Sequence, residues 1–461
     1  MSLRELEPNW TWLFDGAVTR HVKRSYSPRE SWRGRPFTRQ DGAFQIKAIR
    51  ELSMRLTIER KSAMGRPQAR GYLEHGRFRA AYLLYFLPLQ AAKFAALFEE
   101  HPGAIDAALA DGERRGAMVV TDLGAGPGTA SLALLLVLAQ RAERGAALPP
   151  IVFHWFDEER RILHDGREIA AAFIERIPAF RGRVRIDLHV ESFGEAARAV
   201  PEPWSLALLG HALNEGPNPP LGVWRRLLER CERGGGLLVV EPASKGNSQT
   251  LSEIRDQLFT GHVIPREPTA IWGPCLHAAG CPLAEGRDWC HTSVRATIPG
   301  EWFTFFSRGL GSERNWLKYS YLWLAAAGDP APEPSPFVRR VLSDPIHQSG
   351  GAAELLLCEP NQVVRTSATS NRKIGRGDLY RLGATGVVPP AAAKKPAGTA
   401  SSRSDGGSTS SRPPSPRSDG GSILRRRPHA ASTSGPEVPK GAEPVTRSRR
   451  KPPGPRPPKR R

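Results

Sequence analysis

Cysteine is scarce in this chain, with five among 461 residues. That scarcity excludes a disulfide-stapled scaffold, since small secreted domains of that kind are cysteine-dense. No stretch reads as apolar over the ~18–20 residues a membrane crossing needs, so no membrane partner is expected. The opening residues, MSLRELEPNWTW, lack the basic-then-apolar layout of a secretory signal. A soluble, cytoplasmic protein is the expectation. In a reducing compartment, thiols that cluster hold metals or do chemistry more often than they pair. Acidic residues are also short, at 46 against 66 Lys and Arg, which leaves a formal net charge of +20.

That charge is uneven. Residues 389–461 hold 17 basic and four acidic residues, repeat RSDGGS at 403 and 417, and consist mostly of Ser, Pro, Gly, Ala, Thr, Arg and Lys. Such a segment buries too little apolar surface to offset its ordering entropy, so a disordered basic tail is expected. It points to a polyanion, RNA first, with a merely solubilising extension as the alternative.

What remains is long enough for two or three compact parts. Residues 1–115 read as an N-terminal helical region. QIKAIRELSMRLTIERKSA and AAYLLYFLPLQAAKFAALFEE carry apolar residues at three- and four-residue spacing. Pro88 is placed to kink or split the second run. Between them RGYLEHGRFRAAY is rich in Arg and aromatics, suited to RNA phosphates or to a solvated basic face.

From residue 116 to 330 the texture is α/β. MVVTDL, IVFHWF, VRIDLHV, SLALLG and GGLLVVEP alternate with helical TASLALLLVLAQRAE, EERRILHDGREIAAAFIERI and PLGVWRRLLERC. The alternation predicts a parallel sheet covered on both faces. EWFTFFSRG and WLKYSYLWLAA, rich in aromatics and β-formers, are predicted as two late strands pairing as an edge hairpin. Residues 261–300 are an insertion the sheet does not require. Residues 335–388 read as a small β domain.

VVTDLGAGPGTASLAL places Asp122 at a strand end, then Gly124, Gly126 and Gly128, then a helix. Small residues let backbone approach a nucleotide-like ligand, and the helix N-terminus adds free N–H groups. The spacing is neither GxGxxG nor a phosphate loop, since no GK[ST] follows. It resembles motif I of the Rossmann-like S-adenosylmethionine-dependent methyltransferases. That resemblance implies an acidic ribose ligand ending the second strand, here Asp157, with Glu158 as the near alternative. After the fourth strand, base-amine methyltransferases carry [ND]PP[YF]; here GHALNEGPNPP offers Asn214 and Glu215 as weak catalytic candidates and lacks the aromatic. The Pro-Cys pair at 274–275 lies too late in the chain to be the nucleophile of a cytosine C5 enzyme. No general base is evident.

Three cysteines fall within sixteen residues: Cys275, Cys281 and Cys290. Thiolates on a short irregular loop can converge on one metal, and a fourth ligand must then come from His277, His291 or the distant Cys358. Cys231, at a helix end, reads as a buried structural thiol.

Together GPCLHAAGCPL with DWCH, HGRFRAAYLLYFLP, DLGAGPGTA, LLGHALNEG, VVEPASKGNSQTLSEIRDQL and YSYLWL resemble the small-ribosomal-subunit assembly family of methyltransferase-like proteins. The family has bacterial and mitochondrial members, methyltransferase-like protein 17 among them. The resemblance spans roughly residues 45–385. It implies a four-iron, four-sulfur (4Fe-4S) cluster on Cys275, Cys281, Cys290 and Cys358, with structural zinc as the competing metal. It further implies S-adenosylmethionine as cofactor and small-subunit rRNA as partner, the protein being a monomer off the ribosome. Either it methylates rRNA or it serves assembly as a non-catalytic binding factor; a small-molecule methyltransferase with structural zinc is the more distant reading. Two departures stand out. Thr292 follows DWCH where many relatives have phenylalanine, and Ala243 follows Glu241-Pro242 where glycine is common.

Overall fold

The computed structural model describes residues 3–56, 71–200, 202–213, 219–260, 271–284, 286–295, 297–311, 316–325, 336–349, 353–368 and 374–382. The basic tail and the pair Asn214 and Glu215 lie outside the described residues.

The middle of the central sheet grows from apolar runs with little or no polar face. β1 (Met118–Leu123) is buried at every position. Beside it lie β2 (Ile151–Phe156), β3 (Val184–His189), β4 (Trp204–Gly210) and β5 (Cys231–Pro242), all parallel. Strands of this kind need helices on both sheet faces. β6 (Ile271–Gly273), β7 (Thr292–Arg295) and β8 (Trp316–Ala325) complete eight strands in the order β3-β2-β1-β4-β5-β8-β6, with β7 also on β8. β8 runs antiparallel to β5. This is a Rossmann-like α/β sheet whose five parallel strands are those the sequence predicts.

Eight helices bear on the site and its supports: α1 (Arg39–Met54), α2 (Gly76–Glu100), α3 (Pro102–Arg115), α4 (Thr129–Glu143), α5 (Arg160–Arg176), α6 (Leu221–Arg230), α7 (Lys245–Thr260) and α8 (Glu301–Gly309). α1 starts where Thr38 and Asp41 cap each other, each side chain accepting from the other's backbone N–H. α2 widens into π-helical turns at Tyr82–Phe86, just before Pro88. The proline ring would meet the carbonyl four residues back, and a wider turn makes room for it. By length and apolarity α2 would pass for a membrane span, yet 89% of its most apolar window is buried inside the protein. The long apolar run that the sequence reading overlooked is core.

One expectation fails outright. EWFTFFSRG forms α8 and no hairpin strand. Phe303 and Phe306 are buried at a spacing of three, while Trp302 and Phe305 pack partly buried beside them. That is helical periodicity, and the aromatic content concealed it. Phe303 stacks on Tyr85 of α2, with ring centroids 5.3 Å apart. At the edge of the sheet, β8 pairs instead with the short β6 and β7.

A second, antiparallel sheet contains β9 (Val338–Val341), β10 (Ile346–His347), β11 (Ala353–Glu359), β12 (Gln362–Ala368) and β13 (Leu379–Arg381). Its own apolar core is Val341, Leu355, Leu357 and Ile374. Residues 1–395 form one compact unit that includes this sheet.

Candidate functional site

From β1 the chain builds β2 and β3 to one side, while β4 and β5 lie on the other. The carboxyl ends of β1 and β4 therefore border a crevice at the switch of direction, where open α/β sheets bind ligands. The loop after β1 enters it. Gly124, Gly126 and Gly128 have φ of 68°, 53° and 71°, a region that side chains rarely adopt. A Cβ at Gly124 would stand 2.7 Å from Cβ of Ala212, and one at Gly128 2.2 Å from the ring of Trp155. At Gly126 it would meet nothing within 4 Å, because this residue faces a cavity.

That cavity has a volume of about 520 Å³, and Gly124, Gly126, Asp157, His211, Tyr72 and Tyr82 are part of its lining. This is the size of a small-molecule site. A narrower recess shares Gly124, Gly126, Tyr82 and His211, and adds Asp122, Gln90 and Phe94. A strand-to-helix turn held free of side chains beside a space of this volume fits an adenosyl cofactor.

The two predicted carboxylates brace the turn. Asp157 accepts from the N–H of Gly126 and from that of Glu159, both at 2.9 Å, and so ties the end of β2 to the glycine loop. Asp122 accepts from the N–H of Ser131 at 3.1 Å and its hydroxyl at 2.6 Å, in the first turn of α4. Burial raises the Asp122 pKa to about 6; the Ser131 hydrogen bonds pull it down, and the Asp157 charge adds to the rise. The structure thus brings Asp122, the three glycines and Asp157 together.

Several residues around the cavity escaped the sequence reading. Tyr72 and Tyr82 come from the stretch read as an Arg-rich face. The two described arginines of that face, Arg77 and Arg79, are engaged within the fold. Arg79 is buried, donating to Tyr26 Oη at 2.9 Å and to the carbonyls of Leu73 and Glu74 at 2.6 and 2.8 Å. Arg77 pairs with Glu51 at 2.8 Å. Gly166 is also structural, since a Cβ there would stand 2.3 Å from the Pro127 carbonyl, so α5 presses directly on the loop. A glycine inside an otherwise helical pattern was the signal for it.

The cysteine segment hangs between β6 and β7. Arg255 of α7, only 2% exposed, donates to the carbonyls of His277 and Ala279 at 2.7 and 2.5 Å. Arg340 of β9 donates to the carbonyls of Pro274 and Gly377 and to the carboxylate of Glu100, at 3.0, 2.6 and 2.8 Å. Arg376 reaches the Trp289 carbonyl and Asp288. Burial acts against the charge of Glu100, yet the Arg340 guanidinium holds its carboxyl below the ordinary value.

The second sheet brings Cys358 to this segment, with Sγ 3.4 Å from His277 Nε2. Burial pushes the Cys358 thiol up to about 12, and Cys275 and Cys281 push the same way. Burial raises Cys290 well above an ordinary thiol, with added repulsion from Cys275, Cys281 and Cys358. Mutual repulsion of that kind requires one neighbourhood. Among the described residues, however, no group of three or more His, Cys, Asp or Glu side chains is arranged to hold a metal ion. The donor chemistry suits a soft metal centre, and convergence of the donors is not found. Cys231 is buried, its thiol pushed up to about 12 by burial, as a structural cysteine should be.

Known proteins were compared with this chain on sequence and on shape. No curated protein matches it. Among solved structures, an rRNA methylase from Streptococcus thermophilus is 13% identical, covering 46% of this chain and 89% of its own, at a TM-score of 0.25. The plantazolicin methyltransferase BamL, solved with SAH and a triazolic desmethylPZN analog, is 9% identical, covering 62% of this chain and 98% of its own, at a TM-score of 0.31. Both are distant likenesses. The model of the family described as mitochondrial small ribosomal subunit Rsm22 matches residues 90–385, well over half the chain, and the protein belongs to that family.

Proposed function

We propose that this protein binds S-adenosylmethionine in the β1–β4 crevice and acts as a methyltransferase on RNA of the small ribosomal subunit. The observation that carries the reading is the open side of Gly126 on a cavity of about 520 Å³, in a chain of this family. Gly124, Gly126 and Asp157 would hold the cofactor, which supplies a methyl group on a positively charged sulfur. Asp157 fixes the loop through the Gly126 N–H, and Tyr82 and Phe94 offer apolar walls that keep water from the inner recess. Off the ribosome the protein acts as a cytoplasmic monomer.

A 4Fe-4S cluster on Cys275, Cys281, Cys290 and Cys358 belongs to the same proposal. Three soft thiol donors on the segment between β6 and β7 and a fourth on β11 support it; burial raises Cys275, Cys290 and Cys358, and nearby guanidinium groups act against that rise. It would clamp the second sheet to the Rossmann-like core. Zinc is the alternative metal.

Calorimetry tests the cofactor site: S-adenosylmethionine should bind, and Gly126→Arg should abolish binding. Unchanged binding would move the site elsewhere. Labelled methyl groups should appear on small-subunit RNA; cofactor binding without transfer would favour the non-catalytic assembly factor. Protein purified anaerobically should be brown, with iron and sulfide in near-equal amounts, and stoichiometric zinc without iron would refute the cluster. For the tail, truncation at Pro389 should flatten the salt dependence of RNA binding. Contact with ~6 phosphates corresponds to about a thousandfold loss of affinity between low and moderate salt.

A further inference from the structure

Among the described residues, two that are not glycine have a left-handed backbone, His211 at φ 59° and Asn361 at φ 61°. Asn361 sits in the tight turn between β11 and β12, where asparagine at such an angle is ordinary. His211 directly follows β4, a central strand, at the mouth of the crevice. No tight hairpin demands its angle.

The surroundings enforce it. The His211 N–H donates to the Val240 carbonyl at 2.8 Å, extending the ladder between β4 and β5. Two residues on, the Leu213 N–H donates at 2.9 Å to the carboxylate of Glu241, which is 1% exposed. Gly210 lies so close to Phe94 that a Cβ would stand 2.6 Å from the ring, and Ala212 fills the space that Gly124 leaves vacant. Strain held in place on every side clusters at functional sites, and an observed outlier is legitimate ground for a functional hypothesis. His211 also lines both the main cavity and the inner recess, in company with Gly124 and Gly126. The bent backbone therefore brings an imidazole to the place where the glycine loop and the open mouth meet.

We propose that His211 is a catalytic residue on the acceptor side of this cavity, taking the proton of a neutral N–H or O–H acceptor during methyl transfer. The inference rests on the methyltransferase reading and adds the base that reading lacks. In the step, the acceptor atom forms a bond to the methyl carbon and the carbon–sulfur bond breaks. Its electron pair stays on sulfur as a neutral thioether. The acceptor's proton passes to the imidazole and from there to water.

The test uses the full chain and two variants, His211→Asn and His211→Gly. Both replacements accept a left-handed backbone, so both should keep the wild-type melting temperature to within a few degrees. Cofactor affinity by calorimetry should stay within about threefold of wild type, while transfer to small-subunit RNA falls by ~100-fold or more, the contribution of a positioned base. In wild-type protein the imidazole NMR signal that disappears in His211→Asn should shift when S-adenosylhomocysteine is added. Transfer at the wild-type rate in both variants would overturn the assignment and leave the methyltransferase reading intact, as would an imidazole signal that ignores the ligand. Cofactor binding without transfer in the wild type would overturn the methyltransferase reading, and the role of His211 with it.

Discussion

The glycine-loop half of the molecule and the cysteine-segment half are held together by different means. Around β1, β2 and β4 the cohesion is apolar: strands buried on both faces, α4 packed beneath, and a loop whose glycines fit against Trp155 and Ala212. Around Cys275–Cys290 the apolar contribution is small, and three arginines, Arg255, Arg340 and Arg376, stitch irregular backbone to neighbouring elements through carbonyl oxygens. A cleft built the first way is preformed and tolerates polar change nearby. A segment built the second way weakens when one guanidinium is lost, because each bonds more than one acceptor at once.

The sharpest break should come from Arg340→Met. It takes the guanidinium from the Glu100 carboxylate and from two carbonyls, leaving Glu100 to the Tyr321 hydroxyl, so urea unfolding should show a loss of about 3–5 kcal/mol. Adding Glu100→Gln should recover part of that loss; no recovery would mean the ion pair is not the reason. On the apolar side, Gly128→Ala drives a methyl into Trp155 at a strained φ and should cost about 3 kcal/mol. A similar loss in both halves would blunt the distinction in size while preserving it in mechanism, which the double variant reads.

Asp122 is an ionisable group buried within the apolar half. Because burial raises its pKa from 3.8 to about 6, its ionisation works against folding. That penalty is absent below pH ~4 and grows as pH rises through about 6. Asp122→Asn should therefore leave the urea midpoint unchanged at pH 4 and stabilise by on the order of 2 kcal/mol at pH 7. Gly126→Ala meets no steric obstacle and should cost only ~1 kcal/mol of backbone strain, while weakening cofactor binding. Smallest of all, Arg39→Ala removes an exposed pair with Glu301 and should change stability by less than ~0.5 kcal/mol.

The same contrast decides what could be read in the sequence. β1, β2 and β4 were legible because burial on two faces leaves largely apolar runs, β3 because its apolar residues alternate with polar ones, and glycines at a strand-to-helix turn have few other reasons to be there. The clustered thiols made Cys358 one of three candidate fourth ligands, and only the resemblance singled it out, since no periodicity links residues so far apart. EWFTFFSRG misled because aromatics favour strands on average, whereas the partners of Trp302, Phe303 and Phe306 on α1 and α2 are invisible in a single sequence. The role of Arg79 was hidden for a like reason: nothing local says that a tyrosine and two carbonyls await it. Neither did any motif announce the backbone of His211, which depends on Val240 and Glu241 in the next strand.

β8 has a consequence of its own. Gly273 and Thr292, at the two ends of the cysteine segment, pair with Trp323 and Tyr319 on the same edge of that strand, while its other edge is fastened to β5. The segment is thus a cassette slung from a single rail. Both of its ends therefore travel with β8, and the distance between them is set by a strand that is itself fixed to β5.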